Sequence, residues 1–126
     1  MRRGLFTHLR STGVCELQPW HTDMVEPWRR SADVTTLSCV FTLQRTVFCV
    51  IPRSHGLWRR QAHFRVPRST LNAAEHLVLE PGDVYIGRRD MVHAGAKTII
   101  QNDRLFLFLN RGKEDPTNEF GKIVWE

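Results

Sequence analysis

Apolar and polar residues alternate along this chain in short stretches, and helical spacing is rare. The clearest case is "DRLFLFLN" (103–110), where Arg104, Phe106 and Phe108 fall on one face of an extended chain and Leu105, Leu107 and Leu109 on the other. Both faces are apolar, so each needs a cover. "SADVTTLSCVFTLQ" (31–44) and "TVFCVIP" (46–52) are rich in the β-branched and aromatic residues that suit a pleated surface. The brief break at Gln44-Arg45 predicts an antiparallel hairpin between them. "EHLVLEPGDVYIG" (75–87) reads as two strand pieces divided by the turn former Pro81-Gly82-Asp83. Helical signal is confined to "STLNAAEH" (69–76), about two turns capped by Ser69, and "PWRRSA" (27–32), one turn at most. The tail "GKEDPTNEFGKIVWE" (112–126) opens as loop and offers a short edge strand at 122–125. Many short strands, regular turns and little helix predict an all-β sandwich or barrel.

The 126 residues fit one domain over 1–126, with no repeat, low-complexity tract or linker to divide it. No apolar run approaches the roughly 20 residues that span a bilayer. The opening "MRRGLFTHLR" carries only Leu5-Phe6 where a signal peptide needs an apolar core of about seven or more. The expectation is a soluble, intracellular protein with no membrane partner. Cys15, Cys39 and Cys49 are odd in number and lack CxxC spacing, which predicts buried, reduced thiols. The net charge is +5, and all but Lys97, Lys113 and Lys122 of the 18 basic residues are arginine. Between Asp33 and Glu75 there is no acidic residue, while Arg45, Arg53, Arg59, Arg60, Arg65 and Arg68 fall there with Trp58 among them. Such a stripe suits a nucleic acid, an acyl-CoA phosphate or an acidic protein, and equally a solvated basic loop.

"LQPWHTDM" (17–24) carries the candidate chemistry. In an extended chain residues i and i+2 face the same side, with Cα atoms about 7 Å apart, so His21 and Asp23 can take one ion side by side. A third donor completes a face of three. Two histidines and one carboxylate leave the opposite positions open, which suits non-haem Fe(II) that must also take a cosubstrate and O2. Of the six histidines, His93 in "DMVHAGA" is the best third ligand, since it follows a strand and is flanked by small residues. His55 lies in a basic loop, and His8, His63 and His76 lack such a setting. A His-x-Asp by itself reads first as a polar turn at a strand end. Arg104, at the start of an inward-facing strand, changes the balance, because a guanidinium among Phe106 and Phe108 needs an anionic partner such as a dicarboxylate. On its own it reads as a surface residue at a strand end. Gln18 and Trp20 are candidate pocket walls, and Trp20 reads first as a packing residue.

The order His-x-Asp, "VIPRSHG", "HLVLEPGDVYIGRRDMVHAGA" and then Arg104, over residues 17–110, resembles the phytanoyl-CoA dioxygenase family of Fe(II)/2-oxoglutarate oxygenases. The resemblance implies a double-stranded β-helix, a cupin-like jelly roll with few short helices. It implies iron on His21, Asp23 and His93, and the far carboxylate of 2-oxoglutarate on Arg104. With O2 the cosubstrate would give succinate and carbon dioxide, and a substrate C–H would be hydroxylated or oxidatively demethylated, since Asp23 supplies the carboxylate that halogenating relatives lack. "PRSHG" (52–56) looks like the family's Pro-Gly-Ser-His segment, with Arg53 standing in place of glycine beside the substrate entrance, where Trp58 is a second candidate. Phe41 falls near the family's cosubstrate aromatic. The family carries helices before the His-x-Asp strand, yet only residues 1–20 precede His21 here. That fits a pared-down enzyme, an isolated domain or a chain whose missing wall comes from another subunit, and the doubly apolar strand predicts a homodimer.

Two other readings use the same residues. A zinc or manganese cupin would keep His21, Asp23 and His93 but leave Arg104 no dicarboxylate to hold. A catalytically inactive jelly roll would bind nucleic acid or an acidic partner through Arg45–Arg68, with salt-dependent affinity that survives His21→Ala. The substrate itself, phosphate-bearing or not, is not readable from the sequence.

Overall fold

Strands appear where alternation predicts them, but consecutive strands mostly lie in opposite sheets. The computed structural model describes residues 2–3, 7–23, 36–59, 65–98, 101–110, 121–122 and 124–125, with residues 2–3, 36, 58–59, 65–66, 110 and 121–125 described by their backbone. The first half contributes β1 (Arg2–Arg3), β2 (Thr7–Ser11), β3 (His21–Thr22), β4 (Thr36–Thr42), β5 (Thr46–Val50) and β6 (Arg65–Val66). The second contributes β7 (Glu75–Leu79), β8 (Val84–Arg88), β9 (His93–Gly95), β10 (Asn102–Asn110), β11 (Gly121–Lys122) and β12 (Val124–Trp125). One sheet runs β1-β10-β4-β8, with β2 also paired to β10, and the other runs β11-β3-β9-β5-β7. A small parallel pair joins β12 to β6. Two five-stranded sheets exchanging strands in this way form an all-β double-stranded β-helix, a cupin-like jelly roll.

The expected hairpin between β4 and β5 is therefore corrected. β4 pairs with β10 and β8, whereas β5 pairs with β7 and β9. Local composition made both strands legible, but their partners lie far away in sequence. The corner at 43–45 crosses between the sheets, and β10 holds it: Leu43 N donates to Asp103 O (3.2 Å), Asp103 N to Gln44 Oε1 (2.6 Å) and Asn102 Nδ2 to Arg45 O (3.1 Å). The Pro81-Gly82-Asp83 turn forms as predicted, with Gly82 at φ +94°, a conformation glycine adopts freely. It docks on β4 through Gly82 N to Thr42 O at 2.9 Å.

Residues 69–76 do not form two α-helical turns. A 3-10 helix spans Arg68–Ala73, Pro67 stands at its N-cap without a side-chain cap, and the chain is already strand at Glu75. Pairing of β7 with β5 takes the last residues of that segment. A second 3-10 helix spans Ser54–Arg59. The turn expected at 27–32 and the strand start at 31–35 lie outside the described residues. The tail strand is split into β11 and β12, which join different sheets.

Between the sheets Val40, Phe48, Val50, Tyr85, Phe106 and Phe108 form the main core. Each fully buried large side chain contributes about 1.5–3 kcal/mol of transfer free energy. A smaller cluster, Ile51 and Val92, packs with Trp20, Leu57, Leu71 and Ala74, so Trp20 serves packing. Cys15, Cys39 and Cys49 are free, and burial pushes the Cys39 and Cys49 thiols up in pKa, whereas Cys15, expected to be buried, is only half-buried. Among the described residues no helix is long and apolar enough to cross a membrane.

Candidate metal centre

Strand register assembles the centre. β9 lies between β3 and β5, and His93 pairs directly with His21 on one side and with Val50 on the other. Directly opposed residues on antiparallel strands share a face, so the two imidazoles meet, with ring centroids 4.4 Å apart. Asp23 follows two residues after His21 and returns to the same side. Its backbone is clamped to the segment before β9: Asp23 N donates to Arg89 O and Arg89 Nε donates to Asp23 O, each at 2.9 Å. Arg89 is itself buried, with its guanidinium 4.2 Å from the Phe108 ring centroid.

One ligand atom from each of His21, Asp23 and His93 lies within 4.8 Å of the others. The tautomers suit a cation. His21 Nδ1 is 2.8 Å from Pro19 O and His93 Nδ1 is 3.0 Å from Met91 O, so each Nδ1–H donates to a carbonyl and leaves Nε2 as the accepting nitrogen. Ser38, reaching across from β4, donates its hydroxyl to Asp23 Oδ2. The other carboxylate oxygen, Oδ1, is buried without a hydrogen bond, and His93 Nε2 stands 3.3 Å away. Lone pairs gathered around a buried carboxylate oxygen fit a metal ion. Two imidazole nitrogens and one carboxylate accept Fe(II), and equally Zn(II) or Mn(II).

The charges agree with that reading. Burial opposes ionisation of Asp23, but the His93 imidazole and then the Ser38 hydroxyl outweigh it and hold the carboxyl below its ordinary value. Burial likewise opposes charging of His93, yet Asp23 outweighs it and raises the pKa. At His21 burial prevails, helped by the charge of His93, and the pKa falls.

The three residues line a cavity of about 340 Å³ between the sheets, together with Gln18, Arg104, Ser38, Tyr85 and the apolar side chains of Leu9, Pro19, Val40, Phe48 and Phe106. Arg104 is 9% exposed, donates to Ser11 Oγ at 3.2 Å, and keeps a buried Nε–H without a partner. Among the described residues no carboxylate forms an ion pair with it. Burial lowers its pKa, without removing the charge of a guanidinium. Gln18 bridges to β9, accepting from Gly95 N at 2.9 Å and donating its own N–H to Gly95 O at 3.0 Å. A Cβ at Gly95 would come 2.8 Å from Gln18 Oε1 and 3.5 Å from an Arg104 nitrogen, so glycine is what lets these polar groups approach.

The structure thus brings His21, Asp23, His93, Arg104 and Gln18 into one cavity. It does not bring Phe41 there: that ring alternates to the opposite face of β4 from Ser38 and Val40, and Phe48, Tyr85 and Phe106 are the aromatic walls. Arg53 is exposed and absent from the lining, at φ +62°, the left-handed region that glycine adopts without strain. The Trp58 side chain lies outside the described residues, as does His63. His8 pairs with Asp103 at 2.9 Å, His55 sits in a 3-10 helix and His76 is exposed. Sequence reasoning missed Ser38, Tyr85 and Arg89. Alternation along 36–42 would have put Ser38 inward, but nothing local marks Arg89.

No protein-family model and no curated protein matches the sequence. Among solved structures, AviO1 from Streptomyces viridochromogenes Tue57 superposes with a TM-score of 0.67 at 14% identity, over 87% of this chain and 51% of that one. SnoN, a non-heme alpha-ketoglutarate-dependent epimerase from nogalamycin biosynthesis, superposes with a TM-score of 0.60 at 13% identity, over 98% of this chain and 60% of that one. This chain therefore spans about half to three-fifths of the length of those two proteins. At such identities the likeness establishes the jelly-roll fold.

Proposed function

We propose that this chain is an Fe(II)- and 2-oxoglutarate-dependent dioxygenase of the phytanoyl-CoA dioxygenase type, which hydroxylates or oxidatively demethylates its substrate. His21, Asp23 and His93 would hold the metal, and Arg104 the far carboxylate of the cosubstrate. One observation carries this reading: a buried arginine, without a carboxylate partner among the described residues, opens into the same cavity as a two-histidine, one-carboxylate face. A metal-only cupin site has no use for that cation. The fold is shared with SnoN, whose cosubstrate is alpha-ketoglutarate, which supports the same cosubstrate here.

When bound, iron and 2-oxoglutarate supply the oxidation, in which O2 converts the cosubstrate to succinate and carbon dioxide while a substrate C–H bond is oxidised. The chain binds, orients and excludes water. Ser38 and Arg89 fix the carboxylate of Asp23, one at its oxygen and one at its backbone. The carbonyls of Pro19 and Met91 fix both imidazoles with Nε2 accepting. Arg104 has unused donors for a carboxylate, held in place by Ser11. Val40, Phe48 and Phe106 keep the space between apolar.

Anaerobic titration with Fe(II) and then 2-oxoglutarate, followed through the weak visible metal-to-ligand charge-transfer band, tests the reading. The band is expected in the parent and lost in both His21→Ala and Arg104→Ala. Its absence from folded parent protein would return the site to another metal or to a binding role.

A further inference from the structure

The cavity contains a polar group that the chemistry above leaves unused. Tyr85, the only tyrosine in the chain, lines the cavity, is 9% exposed, and has a buried hydroxyl with no hydrogen-bond partner among the described residues. A buried O–H without an acceptor lowers stability, so the phenol, like Asp23 Oδ1 and Arg104 Nε in the same cavity, points to a partner that arrives with a ligand.

Gly87 fixes where that hydroxyl lies. A Cβ built there would come 2.1 Å from the phenol oxygen and 2.6 Å from Cζ, so the ring runs along β8 over the bare glycine backbone. Gly87 pairs with Ser38, the residue bonded to Asp23, whereas Arg104 pairs with Thr42. Ser38 and Thr42 are four residues apart on β4, about 13 Å at 3.3 Å per residue. The phenol oxygen is thus level with the Asp23 carboxylate, and the arginine enters two pleats away. A dicarboxylate reaching from the metal to Arg104 runs away from Tyr85 and leaves the hydroxyl for a second molecule.

The surroundings set the chemistry of that molecule. Burial, with the nearby charge of Asp23, keeps the phenol protonated and therefore a hydrogen-bond donor. The neighbouring walls are Phe48, with its ring centroid 4.5 Å from that of Tyr85, and Val40, its cross-strand partner. We propose that Tyr85 determines substrate specificity, donating a hydrogen bond to an uncharged hydroxyl, carbonyl or ether oxygen on a largely apolar substrate group seated beside Asp23. This rests on the oxygenase reading and extends it from cosubstrate to substrate class.

A single tyrosine makes the test direct. Protein labelled with 13Cζ-tyrosine, loaded with Zn(II) as a redox-inert diamagnetic metal, is titrated with cyclohexanone in the presence and absence of 2-oxoglutarate. Cyclohexanone is expected to shift the one tyrosine resonance. Tyr85→Phe, and Gly87→Ala which displaces the phenol, should each weaken cyclohexanone binding about tenfold. Zn(II) and 2-oxoglutarate affinities should stay within about twofold of the parent in Tyr85→Phe, since no contact to either is removed. That variant should also melt no lower than the parent, since the oxygen lost has no protein partner.

Equal binding of cyclohexanone by parent and Tyr85→Phe, or none by the parent at high millimolar concentration, would overturn the proposal. So would a resonance that moves with 2-oxoglutarate alone together with weaker 2-oxoglutarate binding by Tyr85→Phe, which would give the phenol to the cosubstrate. A lower melting temperature for Tyr85→Phe would show a structural role and overturn it too. Failure of the oxygenase reading shows separately, as metal-loaded parent that takes up no 2-oxoglutarate.

Discussion

At the scale of single residues, Asp23 depends on neighbours that bind no metal themselves. Ser38 satisfies one carboxylate oxygen and so aims the other at the imidazoles. Partners that orient a ligand in this way are typically worth about 10–100-fold in metal affinity, so Ser38→Ala should weaken Zn(II) binding by about tenfold while the fold survives. Competitive titration with a chromophoric chelator reads this directly, and unchanged affinity would show that Asp23 is held by its backbone alone. The Asp23–His93 contact also sets a pH dependence. His93 is raised above its ordinary 6.5, so its contribution to the stability of the metal-free fold is complete below that pH and is lost as pH climbs through the raised value. Asp23 is depressed below 3.8, so its contribution holds above that pH and disappears as pH falls through the lowered value. Metal needs the neutral imidazole. From pH 6.5 upward the melting temperature of chelator-treated protein should therefore decline while Zn(II) affinity rises. Two curves rising together would rule out a shared proton. Arg53 adds a separate test: at φ +62° a side chain is strained, and Arg53→Gly should gain about 0.5–1 kcal/mol in urea unfolding. Much of this site was legible in the sequence, because His21 and Asp23 need only an extended chain to share a side. Arg89 was not, because its partner Asp23 is 66 residues away and no local pattern marks such a bond.

At the scale of elements, β10 joins fold to site. Arg104 faces the cavity, and Phe106 and Phe108 continue the same face into the core with ring centroids 4.7 Å apart. Its two-faced pattern was readable from residue order. Its partners were not, because pairing with β4 and β2 is decided by tertiary contacts across 62 and more residues of sequence. The same cause undid the expected hairpin: β4 and β5 each have the composition of a strand, and only the whole jelly roll sends them to different sheets. Phe108 is 4% exposed and also carries the Arg89 guanidinium, so Phe108→Ala should cost about 3–5 kcal/mol. Against a typical total of about 5–15 kcal/mol, that leaves a marginal fold, readable as a large drop in the urea midpoint. β9 is tested more gently by Gly95→Ala. The new methyl would meet Gln18 Oε1 at 2.8 Å and crowd Arg104, so 2-oxoglutarate affinity should fall more than metal affinity. A parallel fall in both would mean that the substitution distorts the His93 strand as a whole.

At the scale of the whole molecule, the outer face of the β10-β4-β8 sheet carries three apolar rows. Leu105, Phe41 and Val84 form one, Leu107, Cys39 and Ile86 the next, and Leu109 and Leu37 the third beside Arg88. The middle of the face is covered, since Cys39 is 1% and Leu107 6% exposed, but at the β8 edge Val84 is 43% and Ile86 58% exposed. Among the described residues β8 ends the sheet, so its outer edge has both unpaired backbone groups and apolar side chains. Soluble folds usually blunt such an edge with charge, a bulge or a covering element. A second copy meeting the same edge about a twofold axis would cover both at once, which is the form we propose for a homodimer. Light scattering should therefore find a dimer at micromolar concentration. Ile86→Lys should shift it to monomer with a stability change of only about 0.5 kcal/mol, because the side chain is exposed in each copy. Zn(II) affinity should not move, since the outer face is separated from the cavity by the thickness of the sheet. A monomer throughout the micromolar range would sink the dimer. A dimer untouched by Ile86→Lys would keep it but move the interface away from β8.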